Sequence, residues 1–136
     1  MNNITINKDR LWQEIMEVGQ FGRLANGGIT RKALTEPDQQ ARMWLLEKME
    51  KSGMEVRLDA AMNVIGTLKS ENPQTEKKGC IGSHLDTVPN GGLFDGILGV
   101  LAGLECARTF HEQNFGLPWD LEVISFCDEE AGYNAG

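Results

Sequence analysis

The sequence predicts an α/β fold with a mostly parallel sheet and flanking helices. Three observations carry this expectation. Residues 80–85 form a short, small-residue strand pattern, Cys80-Ile81-Gly82-Ser83-His84-Leu85. Residues 96–113 follow a helical period through Ile97, Val100, Leu101, Leu104, Ala107 and Arg108. Residues 121–126, Leu121-Glu122-Val123-Ile124-Ser125-Phe126, form a second strand pattern. Strand, helix and strand in this order make a βαβ unit, whose strands run parallel through a right-handed crossover.

The elements before this unit can be justified in turn. Residues 8–18 place Leu11, Trp12, Ile15 and Val18 at helical spacing. A flexible stretch at residues 19–30 follows, with four glycines. The next helix has Thr35 as its cap, Pro37 in its first turn and Asp38 near its positive end. Its apolar stripe is Ala41, Trp44, Leu45, the Lys48 stem and Met49, and Gly53 can close it. Met54, Val56 and Leu58 alternate with polar residues and read as a strand. Residues 63–68 form another short strand, and residues 70–78 a polar loop containing Pro73.

Bulk composition narrows the function. The 136 residues, 40% hydrophobic and 24% charged, suffice for one globular domain. A net charge of −7 argues against nucleic acid or an anionic membrane surface as partner. No apolar run reaches the length of a membrane span, and no signal peptide is visible. The three cysteines, Cys80, Cys106 and Cys127, have no framework spacing and read as reduced thiols of a cytoplasmic protein. Cys80 and Cys127 lie in strand patterns, which predicts that both are buried.

The chemistry concentrates in Gly82-Ser83-His84-Leu85-Asp86-Thr87-Val88-Pro89, in Phe94-Asp95-Gly96 and in Asp128-Glu129-Glu130. In an open α/β sheet, ligands bind beyond the carboxyl ends of the strands. His84 ends the first strand of the βαβ unit, Glu129 and Glu130 follow the second, and Asp95 opens the helix between them. The topology brings these groups to one rim. Each has a plainer reading alone: His84 as a structural imidazole, Asp95 as a helix cap, Asp86 as a turn residue, and Glu129 and Glu130 as surface acids. Together they would repel one another unless a cation neutralised them. A mixed imidazole and carboxylate set suits zinc, manganese, cobalt or nickel better than calcium or magnesium.

The run from Gly82 to Glu105 resembles the hydantoinase/carbamoylase family of dinuclear metallo-amidohydrolases, which includes N-carbamoyl-L-amino-acid hydrolases and allantoate amidohydrolases. Upstream, Gly28-Ile29-Thr30-Arg31, residues 34–42 and residues 55–61 look like the same branch. Only eight residues separate Asp86 from Asp95, a short spacing that resembles this branch more than the aminoacylases and peptidases of the wider group. The family usually carries glycine where Met62 stands.

The resemblance implies a metallopeptidase-like catalytic domain and two divalent metal ions. His84 would bind one ion, Glu130 the other, and Asp95 both. Glu129 would be the general base, and Asp86 would orient His84. The reaction would be hydrolysis of a linear amide or ureido C–N bond in a small molecule such as an N-carbamoyl amino acid or allantoate. The family's two further histidine ligands lie downstream of the acidic pair. The closing run 131–136 also departs from its pattern. Residues 1–136 are therefore expected to be the N-terminal part of the catalytic domain, a fragment that is inactive alone and lacks the dimerisation or lid domain of a homodimeric full-length form. The alternatives are an aminoacylase or peptidase of the wider group, and a non-catalytic fragment that binds metal or a partner.

Overall fold

The computed structural model describes residues 3–132; positions 133–136 of the closing run lie outside them. The elements run α1 (Lys8–Val18), α2 (Glu36–Lys51), β1 (Glu55–Leu58), β2 (Val64–Leu68), β3 (Lys78–His84), α3 (Ile97–Glu112) and β4 (Asp120–Phe126). Each matches an expected element in type and order.

The four strands form one sheet in the order β1-β2-β4-β3. Strands β3 and β4 pair in parallel, with Lys78 opposite Asp120 and His84 opposite Phe126. The sheet is nevertheless mixed, which corrects the expectation of a mostly parallel one. The pairs β1–β2 and β2–β4 are antiparallel. The physical reason is the turn between β1 and β2. Asp59 accepts hydrogen bonds from the backbone of Ala61 and Asn63 and from the Asn63 side chain, and this folds β2 back along β1. The parallel rule applies to the crossover unit alone.

The helices cover one face of the sheet. Gly66 of β2 meets Met49 of α2, and its cross-strand partner Val123 meets Gly103 of α3. The core between these layers includes Ile15, Val18, Leu45, Met49, Val64, Leu101, Leu104 and Val123. Each fully buried leucine there contributes roughly 1.5–3 kcal/mol. Helix α1 is joined to α3 by ion pairs, Glu14 to Arg108 at 2.6 Å and Arg10 to Glu105 at 2.7 Å.

Local details depart from expectation in three places. Trp12 is exposed and leans on Phe94 across 6.2 Å, while Glu14 takes the buried position. Thr35 precedes α2 without capping it through its side chain; its hydroxyl donates to the Lys32 carbonyl, and Asp38 accepts from the Leu34 amide. Cys80 is exposed, because it lies on the sheet face away from the helices, and Cys127 is half-buried just past β4. The glycine-rich stretch before α2 is pinned by two bridges, Arg23 with Ile29 and Ile29 with Gly91.

Met62 sits in the turn at φ +66°. Glycine adopts this conformation without the roughly 1–2 kcal/mol that a Cβ costs there. Met62 is substantially exposed, so little packing depends on it. Met62→Gly is therefore expected to stabilise the fold by about 0.5–1 kcal/mol, after the added entropy of glycine in the unfolded chain is offset. A rise in the urea midpoint checks this.

Candidate metal centre

The site forms where β3, β4 and α3 meet. His84 is the last residue of β3 and is buried. Its Nδ1 lies 2.9 Å from the main-chain carbonyl of Asp86. A carbonyl only accepts, so Nδ1 donates, and in the neutral ring Nε2 carries the lone pair. Nε2 faces acids: Glu129 Oε2 lies at 3.4 Å and Asp95 Oδ1 at 3.9 Å.

Asp95 precedes Gly96, the residue before α3. No side chain caps this helix, so the Asp95 carboxylate is not committed to capping. It stands 61% exposed beside a buried imidazole. Gly96, at φ +69°, allows this approach. A Cβ there would lie 2.5 Å from His84 Cε1, Nδ1 and the carbonyl oxygen. Farther along α3, Gly99 and Gly103 sit close on Ser83 and Ile81. They let the helix settle onto β3 and bring its first turn to the rim.

The acidic turn after β4 is held from below. Asp86 is buried at 3% exposure. Its carboxylate accepts the Glu130 amide at 3.0 Å and the Glu129 amide at 3.4 Å. The same carboxylate lies 3.6 Å from His84 Nδ1, farther than the main-chain carbonyl. Asp86 thus contacts both the imidazole and the acidic turn. Asn63 adds a second anchor by accepting the Cys127 amide at 2.8 Å. Positive φ at Asp128 and Ala131 completes the turn.

Ligand atoms of His84, Asp95 and Glu130 all lie within 4.8 Å of one another. The donor set of one imidazole and two carboxylates fits a divalent cation. Glu129 reaches the same centre without belonging to that trio. All five residues singled out in the sequence therefore meet in one place.

Behind the site lies a residue whose position the sequence did not signal. Arg31 is wholly buried. Its Nε donates to the Leu85 carbonyl at 2.7 Å, and Nη1 donates to the Val18 and Phe21 carbonyls. Burial pushes its guanidinium down to about 10, against the opposing pull of Asp38 and Asp86. Periodicity could not find it, because it follows a glycine-rich stretch with no regular pattern.

Among the described residues, no helix is long and apolar enough to cross a membrane. Residues 63–136 match peptidase family M28. The chain is 42% identical over 125 residues to N-carbamoyl-L-amino acid amidohydrolase of Geobacillus stearothermophilus, covering 92% of this chain and 30% of that protein. It is 36% identical over 124 residues to allantoate amidohydrolase of Bacillus subtilis, covering 90% of this chain and 30% of that one. Its fold is similar to the crystal structure of a hydantoinase/carbamoylase family amidase from Burkholderia ambifaria. That match has a TM-score of 0.89 at 37% identity and covers 94% of this chain and 31% of the other. The chain spans about 30% of the length of the curated relatives it matches. With the family match reaching from β2 through the acidic turn, the chain belongs to peptidase family M28.

Proposed function

We propose that this chain is the metal-binding, N-terminal part of a hydrolase that cleaves linear amide or ureido C–N bonds. The observation that carries the reading is the convergence of His84, Asp95 and Glu130 within 4.8 Å, with Asp95 free of any capping role. The substrate class is an N-carbamoyl amino acid or allantoate, in keeping with the relatives' names. His84 would hold one divalent ion, Glu130 a second, and Asp95 both. Zinc, manganese, cobalt and nickel suit this donor set. When bound, such ions polarise the substrate carbonyl and lower the pKa of water.

The residues divide the remaining work. The Asp86 carbonyl fixes the His84 ring so that Nε2 faces the centre. The Asp86 carboxylate holds the Glu129 and Glu130 amides, which sets where both acids point. Glu129 is the general base: it takes a proton from the attacking water and passes it to the leaving nitrogen as the C–N bond breaks. The three free thiols suit a reducing compartment, so we place the protein in the cytoplasm.

The family name favours one other reading, an N-acyl or peptide bond as the target. Ammonia release separates the two. A full-length protein containing residues 1–136, with added manganese or zinc, should release ammonia from N-carbamoyl-L-amino acids or allantoate, and a chelator should stop it, whereas residues 1–136 alone should be inactive. Cleavage confined to N-acyl amino acids or peptides would favour the second reading. Ammonia release indifferent to chelation would contradict both.

A further inference from the structure

We infer that Arg31 is a positioning residue for the metal centre, locking the end of β3 so that His84 and Asp86 present their groups in register. This rests on the metal-site reading above. Leu85 lies between His84 and Asp86, and Arg31 Nε holds its carbonyl at 2.7 Å. The Arg31 backbone also holds the same segment. Its amide donates to the Thr87 hydroxyl at 2.9 Å, and its carbonyl accepts the Thr87 amide at 2.9 Å. Three consecutive residues after His84 are thus fixed: Leu85 and Thr87 by Arg31, and Asp86 by the acidic turn.

The arrangement is more than a filled core position. Arg31 Nη2 is buried and has no hydrogen-bond partner among the described residues. Leaving a buried guanidinium nitrogen unpaired is costly. A residue serving packing alone could be apolar here without that cost. The positive charge is instead kept near two buried carboxylates, Asp38 and Asp86. Asp86 in turn touches the His84 ring and the Glu129 and Glu130 amides. Arg31 is therefore one contact removed from three of the residues assigned to the centre, and it touches none of them through its side chain.

The test uses the 136-residue chain and two readouts. The first is the His84 ring tautomer in the metal-free chain, from nitrogen chemical shifts at mildly alkaline pH. A His111→Gln variant assigns the two histidines. The second is zinc affinity by calorimetry. Wild type should show the Nδ1–H tautomer. Arg31→Met should shift His84 toward a mixture and weaken zinc binding by about 10–100-fold, the usual loss when a residue orienting a ligand is replaced. If Arg31→Met does not fold, Arg31→Lys decides by the same readouts, because lysine keeps the charge but cannot hold three carbonyls in one plane. Folded variants with the wild-type tautomer and affinity would overturn the inference. Unfolding of both would assign Arg31 to the core alone and would also overturn it. Absence of zinc binding by wild type would sink the metal reading instead. A tautomer shift in the variant would then still support the positioning role.

Discussion

In a full-length protein containing this chain, Glu129→Gln is expected to lower turnover by about 10²–10⁴-fold, the usual range for a lost general base, with metal affinity nearly unchanged. Glu130→Gln is expected to do the reverse at the first step and lose metal. The two residues are neighbours in sequence and their amides share one acceptor, Asp86. Their side chains differ in reach. Glu130 belongs to the trio whose ligand atoms lie within 4.8 Å of one another. Glu129 approaches His84 Nε2 at 3.4 Å from outside that trio, with its side chain 53% exposed. Glutamine keeps the shape of either side chain and removes its charge. In the first variant the new side-chain amide cannot take a proton from water. In the second it is a poor metal ligand. Calorimetric metal titration and steady-state kinetics on both variants separate the roles. Equal losses of affinity would show that the acids act alike and would contradict the assignment.

Gly96→Ala is expected to destabilise the fold by about 2–5 kcal/mol. The left-handed conformation at φ +69° contributes about 1–2 kcal/mol of this. Forcing a methyl group against a packed ring contributes about 1–3 kcal/mol more. The methyl would sit 2.5 Å from two His84 ring atoms and from the His84 carbonyl oxygen, so the strain falls on a proposed ligand. Metal affinity should therefore drop together with the urea midpoint. Gly27→Ala is the control. Gly27 also has positive φ, at +90°, but a Cβ there meets nothing within 4 Å. It should lose stability with no loss of metal binding. If the two variants behave alike, the close approach of Gly96 to His84 has no functional weight.

Much of this was legible in the sequence, for identifiable reasons. Helix α1 has the expected bounds, 8–18, because its apolar spacing is regular. The parallel pairing of β3 and β4 followed from the crossover helix between them. The convergence at the rim followed from that pairing. The direction of β2 did not follow. It depends on Asp59 closing a tight turn, and the run around it carries no glycine to announce one. The exposure of Cys80 was missed because a strand pattern does not say which face the helices cover. The Asp86 contacts were half legible. The resemblance implied that Asp86 orients His84, but only the fold shows that it also holds the acidic turn. Arg31 was legible only as part of the resembling run Gly28-Ile29-Thr30-Arg31; its role was not, since its partners are main-chain carbonyls that any sequence would supply.

The most direct test of the proposed centre is equilibrium zinc binding by this chain, measured against His84→Ala. The geometry predicts saturable binding by the wild type and at least a roughly tenfold loss in the variant, since the ring supplies the only nitrogen ligand of the trio. No binding by the wild type, or equal binding by both, would contradict the assignment of His84, Asp95 and Glu130 to a metal centre.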